Sequence, residues 1–144
     1  MDKLLSLMAL VRQAQEAESL SAFAHTMVNE TRKLSSYKQA IFWTSGPLGL
    51  TLEKVSGNTS LDDKGTMAGE IKSFINAHSK NIPPQKHALS IGYFTPLQSH
   101  ITLLFFHTPR DGMLGGLWLE SDSPLAVAEI SILDEFAHAC TPFL

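Results

Sequence analysis

The sequence predicts an α+β domain: a central antiparallel sheet with the terminal helices on one face and a short helix with loops on the other. Three observations predict it. Apolar residues recur at helical spacing near both ends of the chain. Five stretches rich in β-formers lie between them, mostly as neighbours joined by short turns, which reads as hairpins. Three of the five are apolar on both sides, so both faces of the sheet must be covered.

Residues 2–17 predict a short amphipathic helix, with Leu4, Leu7, Met8, Val11 and Ala14 at helical spacing and a polar end. It is expected outside the compact core, as a segment over residues 1–18 ahead of a domain over 19–144. Two readings stand side by side. One is a helix packed on its own domain. The other is a homodimer-forming stripe, since two heptads alone are too short to be stable.

Ser19 or Ser21 suits the N-cap of the next helix, over 20–34. Leu20, Phe23, Ala24, Met27, Val28, Thr31 and Leu34 share its inner face, with His25 bordering the stripe. Arg32 and Lys33 sit in the last turn, where cations favour the helix dipole. Residues 39–44 and 50–55 predict paired strands around the Gly46-Pro47-Leu48-Gly49 turn, the second nearer the edge because of its charges. A helix is expected over 64–78, with Met67, Ile71, Phe74 and Ile75 as a narrow apolar stripe weakened by Gly69. Prolines 83 and 84 make 79–87 an irregular loop. A third strand is expected over 89–97, ending at Pro96. Residues 101–107 and 114–120 form a hairpin around Pro109-Arg110-Asp111-Gly112. Pro124 opens the last helix, 126–140, whose core face is Ile130, Leu133, Phe136, Ala137 and Cys140.

Composition narrows the function. The 144 residues make one domain with room for a sizeable core, and 44% of them are hydrophobic, which excludes general disorder. The net charge is −3 with no run of Lys and Arg, so nucleic-acid binding has no electrostatic support. No apolar run approaches the ~20 residues of a membrane span, so no membrane contact is expected of this segment. The single cysteine, Cys140, excludes an intrachain disulfide and fits a reducing, cytoplasmic setting.

No standard catalytic signature is present, so no catalytic residue and no enzyme is expected. Cys140 lies on an apolar stripe near a helix C-terminus, where the dipole disfavours a thiolate. The histidines 25, 78, 87, 100, 107 and 138 show no i, i+4 pair, so neither a metal nor another cofactor is expected. The aromatic residues offer more. Trp118 shares its strand face with Gly116, which leaves space beside an indole N–H that wants a partner. The plainer reading of Trp43 and Trp118 is sheet core. The sharper one is a small-molecule cavity between the sheet and the 64–78 helix. Trp43, Met67, Ile71, Phe74, Tyr93 and Trp118 are its expected walls, with His87 at the mouth and the 79–87 loop as lid.

From Ser19 to Cys140 these elements resemble a GAF domain. The likeness lies in the 20–34 helix followed by Ala40-Ile41-Phe42-Trp43, in Thr95-Pro96-Leu97, and in Leu114-Gly115-Gly116-Leu117-Trp118-Leu119. Leu133, Phe136 and Ala137 in the last helix complete it. The resemblance implies a sheet of five or six strands, terminal helices that often dimerise, a ligand cavity on the opposite face, and a sensory or regulatory role without catalysis. The chain lacks the Asn-Lys, Phe and Asp-Glu motif of cyclic-nucleotide-binding members, a cysteine placed for a bilin, and the several cysteines of sulfoxide-reducing members. A fainter likeness is to the cytoplasmic N-terminal GAF segments of hemolysin-D-type membrane-fusion adaptors. It rests on Asn29-Glu30-Thr31-Arg32 and on 115–119. With the apolar ending at Leu144, it implies a longer signalling or transport protein. Two functions follow: a module that binds a small molecule, or a dimerisation and interaction module with a filled pocket.

Overall fold

The five β-rich stretches pair into one sheet in the computed structural model, which describes residues 2–56, 65–80, 88–108 and 112–143. The elements are α1 (Asp2–Gln15), α2 (Leu20–Glu30), β1 (Gln39–Gly46), β2 (Gly49–Val55), α3 (Thr66–Ser79), β3 (Ala88–Phe94), β4 (Ser99–Thr108), β5 (Gly112–Ser121) and α4 (Val127–Cys140). The sheet order is β2-β1-β5-β4-β3, and every neighbouring pair is antiparallel. The β1–β2 and β4–β5 hairpins are local, as the turns predict. The β1–β5 pairing is long-range and places Ile41 opposite Trp118 and Trp43 opposite Gly116.

Side chains alternate across the pleat, so β1, β3, β4 and β5 each feed two cores, while β2 adds Leu50, Leu52 and Val55 to one of them. On one face Phe42, Leu104, Phe106, Leu117 and Leu119 pack under α2 and α4, with Phe23, Met27, Val28, Leu133 and Phe136 closing the layer. Helices α2 and α4 therefore lie on one face, as their stripes predict. On the other face Ile41, Trp43, Leu103, Phe105 and Trp118 pack under Ala68, Ile71 and Ile75 of α3.

Two elements end earlier than the sequence predicts, and one helix sits elsewhere. The 20–34 helix is α-helical only to Glu30 and tightens to a 3₁₀ turn over Thr31–Lys33, where the Thr31 hydroxyl donates to the Met27 carbonyl at 2.7 Å. The third strand stops at Phe94, because Pro96 has no N–H for the ladder and Gln98 turns the chain at φ 49°. The first helix is not outside the core. Leu10 and Ala14 are buried in the helical layer, and α1 packs against α2 and α4. Its first half is different: Leu4, Leu5 and Met8 remain exposed.

The polar seam at one end of the sheet is well tied. Glu129 accepts from the Ser35 hydroxyl at 3.1 Å, the Ser36 N–H at 2.8 Å and the Ala126 N–H at 3.3 Å, so one carboxylate caps α4 and anchors the turn before β1. The Tyr37 hydroxyl donates to the Val28 carbonyl at 2.7 Å, beneath the Arg32 guanidinium. Among the described residues no helix is long and apolar enough to cross a membrane.

Candidate functional site

The α3 side of the sheet holds the aromatic cluster. Trp43 on β1 and Trp118 on β5 are both fully buried there. Helical spacing in α3 turns Ala68, Ile71 and Ile75 inward and leaves Met67 and Phe74 half-buried at the margin of the same cluster. Phe74 is the hub. Its ring meets Trp118 edge-on at 5.5 Å, Phe94 at 5.4 Å and His78 at 4.3 Å. Phe94 meets Trp118 at 5.0 Å, and Trp43 meets Phe105 at 5.6 Å. Apart from the tilted Phe74–His78 pair, these are edge-to-face contacts, in which aromatic rings attract beyond simple burial.

Two glycines make this packing possible. At Gly116 a Cβ would run into Cζ2 and Cη2 of Trp43 and the Leu104 carbonyl. The space that the sequence leaves beside Trp118 is therefore occupied by the Trp43 indole. At Gly92 a Cβ would stand 2.8 Å from both Phe74 and His78. His78 is held there by a 2.8 Å hydrogen bond between its Nδ1 and the Ser90 hydroxyl, which fastens the end of α3 to β3.

The cluster has one uncompensated feature. The Nε1–H groups of Trp43 and Trp118 are both buried, and neither meets an acceptor among the described residues. An indole N–H donates only, so nothing else in the side chain offsets the loss. Leaving such a donor unpaired costs about 1–3 kcal/mol each. Among the described residues no Asp, Glu, Lys, Arg or His is buried, so no charge lies in this core.

Outside Phe74 an open groove of about 660 Å³ runs between α3 and the turn after β3, along Thr66, Gly69, Ser73, Phe94 and Pro96. Phe74 and Phe94 thus stand between the groove and Trp118. The helical face has a hollow of its own, about 520 Å³, between the α1–α2 turn and Leu114. Its walls are mostly apolar, and Glu18 is their one charged side chain.

Five of the seven expected wall and mouth residues come together: Trp43, Met67, Ile71, Phe74 and Trp118. Tyr93 does not join them. It borders the groove, but the pleat turns its ring to the helical face, where it meets His100 edge-on at 5.2 Å and stays half exposed. Phe94, one residue on, takes the inward position, and sequence reasoning passed it over. His87 and the 81–87 part of the expected lid lie outside the described residues. Cys140 is buried, and desolvation pushes its thiol up to about 12, so it is no nucleophile at neutral pH. Among the described residues no group of three or more His, Cys, Asp or Glu side chains is placed to hold a metal ion.

No family model and no curated protein matches the sequence. Solved structures do match the fold. One is the GAF domain of a protein described as a sensor histidine kinase from Pseudomonas syringae pv. tomato, at 12% identity and a TM-score of 0.63, over 99% of this chain and 86% of that one. Another is the chromophore-binding domain of Stigmatella aurantiaca phytochrome P1, at 11% identity and a TM-score of 0.69, over 100% of this chain and 60% of that one. The chain has the GAF fold. At such identities the likeness carries the fold and leaves the ligand open.

Proposed function

We propose that the chain is a sensory or regulatory GAF-type module, without catalysis of its own, that binds a small molecule between the sheet and α3. It would work in the cytoplasm as one part of a longer signalling or transport protein. The observation that carries the ligand reading is the pair of buried, unpartnered indole donors, in a core where no described residue buries a charge. Buried donors are nearly always paired, and exceptions point to something else that completes the site. One of the similar structures is named for a sensor kinase and the other for binding a chromophore, which favours a ligand-binding sensory role.

A second reading has its own support. Trp43 fills the place over Gly116, and Leu4, Leu5 and Met8 form an exposed apolar patch on α1. These favour a packed module that acts by homodimerisation. A thermal-shift screen of the whole chain against a chemically mixed metabolite library separates the two. The ligand reading expects at least one compound to raise the melting temperature of the wild type and lose its effect on Trp118→Phe. A library without any such compound, with a dimer in sedimentation, favours the second reading.

A further inference from the structure

We infer that the α3-side site takes a neutral planar ring bearing hydrogen-bond acceptors, and that the Trp43 indole is the group it displaces. This rests on the reading that a small molecule binds between the sheet and α3.

Four observations lead there. Of the two unpartnered indole donors, the Trp118 Nε1–H stays in the site when Trp43 leaves it, so the ligand must bring an acceptor. Among the described residues no charged side chain is buried, so a charged ligand would lose its hydration without gaining a counter-charge. Phe74, Phe94 and Phe105 present rings edge-on to the two indoles, a set of surfaces that suits another flat ring. Finally, Gly116 has no left-handed backbone to explain it. What a Cβ would meet there is the Trp43 ring and the Leu104 carbonyl. The site thus already holds a planar bicyclic ring in the volume that Gly116 opens. That ring brings a donor to a place that lacks acceptors. A ligand ring with oxygen on its edge fits the same slot and reverses the mismatch. Access runs from the groove through Phe74, whose ring faces the groove on one side and Trp118 on the other.

Coumarin tests this: it is planar, bicyclic, neutral and acceptor-only. Naphthalene has its shape without acceptors, and coumarin-3-carboxylate adds a charge. Binding is read by melting-temperature shift and calorimetry on the wild type, Trp43→Ala, Trp43→Phe and Trp118→Phe. Trp43→Phe keeps a ring in the core if the alanine variant does not fold. Coumarin is expected to bind the wild type about tenfold more tightly than either comparison compound. Removing the competing indole should tighten coumarin by about tenfold or more in whichever Trp43 variant folds. Trp118→Phe should erase the preference for coumarin over naphthalene. Naphthalene or the carboxylate binding as well as coumarin overturns the ligand class. Equal coumarin affinity in wild type and Trp43 variants overturns the displacement, and so does binding seen only in the variants. Silence of the wild type towards all three overturns the inference. A hit of another chemistry in the library screen would leave the ligand reading standing without it.

Discussion

Gly116 and Trp43 divide one volume between them, and that fixes what substitutions there must do. Leucine at position 116 would compete with the indole for a filled site. Gly116→Leu should lower the unfolding free energy by about 1–3 kcal/mol or more in urea titration. A neutral result would mean that the indole swings away freely. Burial makes a second residue-scale prediction. The folded state raises Cys140 from 9.0 and Tyr37 from 10.0, each to about 12. In both, the fold favours the protonated form. Their stabilisation is therefore fully present below the unfolded values and is lost as pH rises from 9.0 towards about 12. Stability measured from pH 8 to 11 should fall, and Cys140→Ala should flatten the slope from about pH 9 upward. The inertness of Cys140 was legible in its stripe position. The filling of Gly116 was not. It depends on the register of β1 against β5, strands far apart in sequence, which local patterning does not encode. Tyr93 shows the same limit. Tyr93 and Phe94 are adjacent aromatics, and only the pairing of β3 with β4 decides which one faces α3.

Elements were more legible than their joints. Helical stripes located α2, α3 and α4, and two-sided apolarity located β1, β4 and β5, because each reports burial directly. Ser19 was legible as a cap, and its hydroxyl accepts from the Ala22 N–H at 3.0 Å. Ser19→Ala should cost about 1 kcal/mol. The role of Glu129 was hidden. On the sequence it is an outward acidic residue of the last helix, yet it accepts from Ser35 and Ser36, more than ninety positions away. Glu129→Ala removes a cap and the tether together. We expect a loss of about 1.5–3 kcal/mol by thermal or chemical denaturation, larger than that of Ser19→Ala. Equal losses would show that the tether adds nothing to the cap.

At the scale of the whole molecule, α1 is two-sided. Leu10 and Ala14 belong to the core, so cutting the helix away would damage the fold. Leu5 and Met8, each 62% exposed, offer a cleaner probe of the proposed dimer. If α1 dimerises the chain, Leu5→Glu with Met8→Glu should convert a dimer to a folded monomer in sedimentation equilibrium. A wild type that already sediments as a monomer rejects the idea. The α+β architecture and the shared face of α2 and α4 could be read from pattern and order. So could the cover of the opposite face by α3, while the strand register decides which side chains enter the aromatic core there. That second core is where the proposed function lies, and the two tryptophans report on it without labels elsewhere. In a ¹H–¹⁵N spectrum they yield two indole resonances. In the free protein both should exchange slowly with solvent, as fully buried donors do. On titration with coumarin at least one should move downfield as its N–H gains an acceptor. Rapid exchange of both indole protons in the free protein, or two resonances that stay fixed through the titration, would contradict the account.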